Sequence, residues 1–249
     1  IPKWQGGKMN VLIPMAGAGS RFQQAGYTFP KPLIDVEGKP MIQVVVDNLN
    51  IDATFIYVVQ KEHRAKYNLD TLLNLITPNC KIVEVDGITE GAACTTLLAK
   101  EYINNDRELF ITTLDVFFTP YFDFEKFVFN SDGCILTFDA DNPAYSYSQV
   151  DENGYVTKTA EKELISNKAS VGLYCFKKGS EFVKYSEKMI ENNLRTRNEF
   201  YIAPLYNLLI NDGLKINTFP INKMYHMGTP DEMNYFINNE LKDVLNEVR

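Results

Sequence analysis

The chain has 249 residues, of which 45% are hydrophobic and 23% are charged. This balance is typical of one globular domain with a sizeable core, and it excludes collagen-like, coiled-coil and fully disordered chains. No stretch approaches the roughly 18 apolar residues that a membrane helix requires, and the start lacks the apolar run of a secretory signal. We therefore expect a cytoplasmic protein that does not associate with membranes.

The net charge of −7 is distributed unevenly along the chain. Residues 1–40 carry +3, so the other 209 residues carry −10. The acidic total argues against binding to nucleic acid or to an anionic membrane. The basic N-terminal segment predicts a compact bound anion, such as a phosphate, near the start of the chain.

Residues 1–8 show no strand or helix period, and we interpret them as a remnant of an expression tag or a disordered end. Residues 9–249 form the predicted domain. Five β-rich apolar segments predict buried strands at 10–15, 55–60, 81–85, 108–115 and 133–138. Amphipathic stretches between them predict helices at 41–49, 61–76, 91–103 and about 124–129. This alternation indicates right-handed βαβ units around a parallel sheet.

The second half of the chain breaks this alternation. Asn153-Gly154 predicts a hairpin between strands at 146–150 and 155–160, and residues 169–176 predict another strand. Two helices with apolar stripes at 182–190 and 200–209 follow, and then a strand at 215–220. Thr229 and Pro230 predict the cap and first position of a last helix. The fold class is α/β, with a Rossmann-like, mostly parallel mixed sheet flanked by helices and antiparallel additions in the second half.

A glycine-rich loop directly follows the first predicted strand. Ligands of parallel sheets bind beyond the carboxyl ends of the strands, where glycines let backbone N–H groups approach phosphate oxygens. Arg21 and Lys31, the latter between two prolines, add fixed cations that suit a triphosphate. A tight turn with solvated charges is the alternative. The loop begins with Ala16, Gly17, Ala18 and Gly19.

Two other nucleotide-binding motifs fit this region less well. Phe22 stands where the dinucleotide motif GxGxxG requires its third glycine, and Glu37 lies in a turn and not at the end of a second strand. A Walker A loop fails because Pro40 follows Gly38-Lys39 and position 33 is not glycine. NAD, FAD and P-loop chemistry are therefore not expected.

The loop, with Lys31-Pro32 ten residues after Arg21, resembles the signature of the sugar-1-phosphate nucleotidylyltransferases, which make NDP-sugars. Further matching segments follow in the family's order at 38–42, 90–93, 115, 161–162 and 228–230. The likeness covers nearly the whole chain from Met9. It is greatest to short nucleotidyltransferases of capsule and surface-polysaccharide clusters, including cytidylyltransferases that act on phosphocholine or phosphoglutamine.

The resemblance implies a GT-A-like nucleotidyltransferase fold and an Mg²⁺-dependent transfer of NMP from an NTP onto a phosphorylated small molecule, with release of pyrophosphate. Arg21, Lys31 and Asp115 match the catalytic positions, and Asp115 matches the family's magnesium ligand. The nucleotide is implied at Ala16, Gly17, Ala18, Gly19, Gly91 and Ala92, and the acceptor at Glu161, Lys162 and Glu199.

Asp86 lies where some relatives place a glutamine that reads the base. An ionised carboxylate only accepts hydrogen bonds, so it favours the amino group of cytosine over the carbonyl of uracil or thymine. This predicts CTP, although Asp86 also fits a solvated Asp-Gly turn. The sequence leaves the acceptor and a possible homo-oligomer open.

Three positions depart from the family's pattern. Leu114 and Val116 flank Asp115 where the family usually has small and polar residues, and His226 stands where the second metal-binding Asp is expected. Neutral imidazole is a poor ligand for Mg²⁺, so His226 is either a ligand for another metal or a structural residue. Two alternatives stay open: a non-catalytic nucleotide-binding relative, and a GT-A glycosyltransferase that uses the D-x-D at 139–141.

Overall fold

The computed structural model describes residues 9–119 and 130–242. The predictions for residues 1–8 and for a helix near 124–129 lie outside these ranges. The strands are β1 (Met9–Pro14), β2 (Asp35–Val36), β3 (Lys39–Pro40), β4 (Thr54–Gln60), β5 (Lys81–Val85), β6 (Glu108–Thr112), β7 (Val116–Thr119), β8 (Gly133–Asp139), β9 (Ser146–Val150), β10 (Val156–Glu161), β11 (Lys168–Phe176), β12 (Ile216–Pro220) and β13 (Lys223–His226).

The helices are short, and none of those described is long and apolar enough to cross a membrane. They are α1 (Ser20–Gln24), α2 (Met41–Leu49), α3 (Lys61–Lys66), α4 (Leu69–Ile76), α5 (Ala92–Leu97), α6 (Lys100–Ile103), α7 (Gly179–Glu191), α8 (Leu205–Asn211) and α9 (Pro230–Tyr235).

The main sheet has the strand order β10-β9-β11-β6-β1-β4-β5. In addition, β8 pairs with β11, and β12 pairs with β8. The strands β6, β1, β4 and β5 are parallel, whereas β11 runs antiparallel to β6, β8 and β9. This confirms the predicted α/β sheet with antiparallel additions. One detail differs, because β8 does not continue the parallel series beside β6: β11 lies between them, and β8 pairs in parallel with β12.

The core consists of one apolar layer on each face of the sheet. Val11 and Ile13 of β1 belong to the layer that contains α2 and α4, whereas Leu12 belongs to the layer that contains α5, α7 and α8. Successive side chains of a strand point to opposite faces. A strand that is buried on both faces therefore reads as an uninterrupted apolar run, which is why β1 was recognisable in the sequence.

Several element boundaries differ from the predicted ones. The helix predicted at 61–76 is two helices, because Asn68 has a left-handed φ of 49°. Asparagine tolerates this conformation better than most residues, and it ends one helix and begins the next. The helix predicted at 91–103 is also two helices, α5 and α6. The helix predicted at 200–209 begins only at Leu205, so Phe200 precedes α8. At the last helix the prediction is confirmed, since Thr229 Oγ1 accepts a hydrogen bond from the Glu232 N–H at 3.2 Å.

Candidate active site

Two adjoining clefts open at the carboxyl ends of β1 and β6, where parallel sheets bind their ligands. The first cleft has a volume of about 470 Å³ and the second about 260 Å³. Asp115 lines both, so the two clefts meet at this carboxylate. The first cleft is lined by Ala16, Gly17, Gly19, Arg21, Lys31, Gly87, Ile88, Gly91, Ala92 and Glu199, among others. The second is lined by Tyr145, Ser146, Glu161, Tyr174, Tyr201 and His226, among others.

The glycine-rich loop joins β1 to α1 and packs against Lys31. Gly19 has a left-handed φ of 60°, and a Cβ placed there would lie 3.4 Å from the Cβ of Lys31. Buried Phe22 anchors α1, and its N–H donates to the Gly19 carbonyl at 3.1 Å. A phenylalanine at this position, where a dinucleotide motif has glycine, therefore serves to hold the loop against the core. Of the predicted loop residues, Ala18 alone does not line the first cleft.

Lys31 and Asp115 form an ion pair where the two clefts meet, although 84 residues separate them in the sequence. Lys31 Nζ donates to Asp115 Oδ2 at 2.5 Å, and the two side chains are only 19% and 17% exposed. Burial alone would raise the pKa of Asp115, but the charges of Lys31 and His226 outweigh this and lower the pKa below its ordinary value. Asp115 is therefore ionised at neutral pH.

Gly91 forms the wall of the first cleft opposite the glycine-rich loop. Its φ is 132°, and a Cβ there would lie 2.5 Å from the carbonyl oxygen of Phe200. That carbonyl accepts a hydrogen bond from Ala93, and the Phe200 N–H donates to Glu90. Gly91 is therefore required by the close approach of a neighbouring backbone, in addition to the predicted contact with a ligand. Asp86 is not among the residues that line either cleft, whereas the next residue, Gly87, lines the first.

The three predicted acceptor residues occupy different places. Glu161 lies in the second cleft, where it accepts a hydrogen bond from Ser146. Burial raises the pKa of Glu161, and this hydrogen bond offsets only part of the effect. Lys162 has a left-handed φ of 55°. Its Nζ donates a hydrogen bond at 2.8 Å to the hydroxyl of Tyr201, and it is Tyr201 that lines the second cleft. Glu199 lines the first cleft and not the second.

His226 is packed beside Asp115 at the end of β13. Its Nδ1 lies 3.1 Å from Glu232 Oε2. A Cβ on Gly228 would lie 2.6 Å from the His226 ring and 3.1 Å from Asp115 Oδ2, so glycine is needed where these side chains crowd together. Within residues 9–119 and 130–242, no three His, Cys, Asp or Glu side chains are grouped as metal ligands. The ionised carboxylate of Asp115 is the hard oxygen donor at the junction, as Mg²⁺ prefers.

The sequence did not identify several residues that the fold brings to the clefts. Tyr145, Tyr174 and Tyr201 line the second cleft, and the amide of Gln60 contacts the glycine-rich loop at the rim of the first. Gln60 carried one recognisable signal, because it is the last residue of a predicted parallel strand. The aspartates of the D-x-D at 139–141 are not among the described residues that line these two clefts.

The nucleotidyl transferase family profile matches residues 10–215. The chain belongs to this family. The match confirms the resemblance to sugar-phosphate nucleotidyltransferases that the glycine-rich loop and Lys31 indicated, and the clefts lie where those residues converge.

Individual relatives are distant in sequence. The bifunctional protein GlmU of Methanocaldococcus jannaschii is 26% identical over 218 residues, which cover 85% of this chain and 50% of GlmU. The low-salt glycan biosynthesis nucleotidyltransferase Agl11 of Haloferax volcanii is 25% identical over 235 residues, covering 90% of this chain and 64% of Agl11. The chain thus spans about half to two thirds of the length of these relatives.

Solved structures show the same fold over most of the chain. The nucleoside-diphosphate-sugar pyrophosphorylase of Vibrio cholerae RC9 superposes with a TM-score of 0.79 at 28% identity, covering 92% of this chain and 100% of the other. The inositol-1-phosphate CTP transferase of T. maritima gives a TM-score of 0.77 at 15% identity, covering 98% and 97%. At that identity the second likeness concerns the fold alone.

Proposed function

We propose that the protein transfers the NMP moiety of an NTP onto the phosphate of a small acceptor and releases pyrophosphate. CTP is the first NTP to test, because Asp86 adjoins Gly87, which lines the first cleft. The ion pair of Lys31 and Asp115 at the junction of the two clefts carries this proposal. The first cleft offers glycine amides and Arg21 for a triphosphate. The second offers Glu161 and Tyr201, with Lys162 held by Tyr201, for a phosphorylated acceptor. The two substrates would meet beside Asp115.

The transfer needs alignment and charge neutralisation but no nucleophile from the protein. An oxygen of the acceptor phosphate attacks the α-phosphorus, the bond from the α-phosphorus to the oxygen bridging to the β-phosphorus breaks, and pyrophosphate leaves with that oxygen. Arg21 and Lys31 stabilise the negative charge that accumulates on the α-phosphate and the leaving pyrophosphate. Lys31 is already restrained by Asp115, so little side-chain entropy is lost when it contacts phosphate.

Mg²⁺ is the proposed cofactor, and Asp115 is the residue that would hold it. Mg²⁺ binds one or two protein carboxylates together with phosphate oxygens, and the lowered pKa of Asp115 keeps its carboxylate ionised. When bound, the ion supplies Lewis-acid polarisation of the phosphate oxygens. His226, whose Nδ1 contacts Glu232, is the proposed second ligand only for another ion such as Mn²⁺ or Zn²⁺, because neutral imidazole is a poor ligand for Mg²⁺.

The acceptor classes that we propose are sugar 1-phosphates, phosphocholine and phosphoglutamine, in a cytoplasmic step of capsule or surface-polysaccharide biosynthesis. The resemblance of the glycine-rich loop to the nucleotidyltransferases of such clusters supports this role. The relative Agl11, a nucleotidyltransferase of glycan biosynthesis, supports the same context.

A pyrophosphate-release screen tests the proposal. CTP, UTP, GTP and dTTP are each combined with every acceptor class in the presence of Mg²⁺, and pyrophosphate is measured. We expect pyrophosphate release only when one particular NTP and one phosphorylated acceptor are both present. CTP is the first NTP to test. Lys31→Met should lower kcat by about 100-fold, because a cation aimed at the reacting phosphates is lost.

Lys39→Met is the matched control, since it removes a lysine whose ion pair with Asp47 is exposed and which lines neither cleft. It should leave the rate unchanged. If no combination releases pyrophosphate with Mg²⁺, Mn²⁺ or Zn²⁺, the proposal is wrong.

A non-catalytic nucleotide-binding protein is the second candidate. Leu114 and Val116 are both buried and line the first and second cleft respectively, on either side of Asp115. They replace a small and a polar residue close to the predicted nucleotide. Calorimetric binding of an NTP without turnover, in both the wild type and Leu114→Ser, would favour this candidate over the enzyme.

A further inference from the structure

Gln60 connects the two sides of the first cleft. It is the last residue of β4, and its side-chain amide nitrogen donates to the carbonyl of Ala16 at 2.5 Å and to the carbonyl of Gly87 at 2.8 Å. Ala16 opens the glycine-rich loop, and Gly87 begins the segment 87–92 that lines the opposite side of the cleft. A single side chain therefore contacts both loops.

The position of β4 in the sheet explains this contact. β4 lies between β1 and β5, and all three strands are parallel. The loops that leave β1 and β5 therefore emerge on either side of the carboxyl end of β4, where Gln60 lies. Both partners are carbonyl oxygens, which only accept hydrogen bonds, so two N–H groups on one atom are needed. A glutamine amide provides them, and a glutamate carboxylate does not.

The two loops have different chemistry. The glycine-rich loop offers backbone N–H groups next to Arg21 and Lys31, which suits phosphates. The segment 87–92 offers the small residues Gly91 and Ala92 and the side chain of Ile88, which is 77% exposed although it is apolar. Small residues beside an apolar side chain at a cleft leave room for a flat apolar group of a ligand, such as a nucleobase.

We propose that Gln60 is a positioning residue that fixes the distance between the glycine-rich loop, which would bind the phosphates, and the segment 87–92, which would bind the base. An NTP must contact both at once, and the second contact is effectively intramolecular only when the spacing matches the nucleotide. Gln60 therefore favours a whole nucleotide over its separate parts. This inference rests on the proposed function, because it takes the first cleft as the NTP site.

Three variants test the inference. Gln60→Glu keeps the length of the side chain but directs carboxylate oxygens at two carbonyl oxygens. Gln60→Asn keeps the amide but is too short to reach both loops, and it serves if the glutamate variant does not fold. Gln149→Glu is the control, because it makes the same charge change at an exposed position of β9 that lines neither cleft. Thermal unfolding shows whether each variant is folded.

The affinities of wild type and variants are measured by calorimetry, with Mg²⁺, for three ligands: the NTP that the wild type prefers, its nucleoside and inorganic tripolyphosphate. We expect the Gln60 variants to bind the NTP about tenfold more weakly, as for the loss of two hydrogen bonds. Binding of the nucleoside and of tripolyphosphate should change less than about threefold, because each fragment needs only one loop. Gln149→Glu should bind all three ligands as the wild type does.

The inference is overturned if the Gln60 variants bind the NTP normally, or if either fragment weakens as much as the NTP, since Gln60 would then support one loop alone. NTP binding and pyrophosphate release by the wild type distinguish failure of this inference from failure of the proposed function. If it neither binds any NTP nor releases pyrophosphate, the proposed function fails. If it does both and the variants show no selective loss for the NTP, the inference alone fails.

Discussion

At the scale of single residues, the pair of Lys31 and Asp115 gives each side chain a partner before any substrate binds. A mostly buried carboxylate without a cation would be costly to desolvate, and Lys31 at 2.5 Å offsets that cost. The same lysine is the cation that we assign to the triphosphate. Substrate binding would therefore exchange the partners of Lys31 and would not have to order a free side chain.

This pair has a consequence for the pH dependence of stability. The folded-state pKa of Asp115 lies below the unfolded value of about 3.9, so its stabilising contribution is complete above that value and is lost as the pH falls through the folded pKa. Wild type should therefore have a higher Tm than Asp115→Asn at pH 7, and the difference should shrink below about pH 4. Thermal unfolding from pH 7 to pH 3 measures this.

Asp47→Asn is the control, because its pair with Lys39 is exposed and contributes little. Its Tm should follow the wild type across the range. A constant difference between wild type and Asp115→Asn at every pH would contradict the interpretation.

Tyr201 is a second residue whose role follows from one contact. Its hydroxyl accepts the hydrogen bond from Lys162 Nζ at 2.8 Å, so Tyr201→Phe removes the partner that orients this lysine. We expect the KM for the phosphorylated acceptor to rise by about three- to tenfold, and the KM for the NTP to stay unchanged. Steady-state kinetics with each substrate varied in turn would show the split.

Tyr147→Phe is the matched control for this prediction, since it also removes one hydroxyl hydrogen bond, to the carbonyl of Asn142, but does not line the described clefts. Equal changes in both KM values for Tyr201→Phe would mean that Tyr201 acts on the whole site and not through Lys162.

At the scale of elements, the first cleft depends on a backbone contact between the loop before α5 and the loop before α8. Gly91 lies against the Phe200 carbonyl, with φ at 132°. Gly91→Ala should therefore lower the free energy of unfolding by about 3 kcal/mol, because it adds a steric clash to an unfavourable φ. Urea unfolding measures the loss.

Gly154→Ala separates the two causes. Gly154 also has a left-handed φ, 83°, but nothing lies within 4 Å of its Cβ position. That variant should lose only about 1 kcal/mol. Equal losses in the two variants would show that the Phe200 contact contributes nothing.

At the scale of the whole molecule, the proposed function assigns its two substrates to two clefts that share Asp115, so both would be bound at the same time. Direct transfer between them requires no nucleotidyl-enzyme intermediate, so initial-rate plots should intersect and labelled pyrophosphate should not exchange into the NTP unless acceptor is present. Exchange in the absence of acceptor would contradict direct transfer. The basic segment 1–40 of this acidic chain contributes two of its cations, Arg21 and Lys31, to the lining of the first cleft.

The sequence by itself determined the features that depend on local spacing. The apolar runs of β1, β4 and β6 gave the α/β class, and the glycine-rich loop with Arg21 and Lys31 gave the family, because such patterns are set by neighbouring residues. Element boundaries were less predictable where one residue, such as Asn68, adopts a left-handed conformation that a helical period does not reveal.

Only the tertiary structure decided which distant residues meet. It placed β11 between β6 and β8, brought Lys31 to Asp115 across 84 residues, and brought Tyr201 to Lys162 and Gln60 to Ala16 and Gly87. These contacts depend on strand order and on the packing of loops that emerge from neighbouring strands. A hydrophobic period records which face of a strand is buried, but it contains no information about which strand lies beside it.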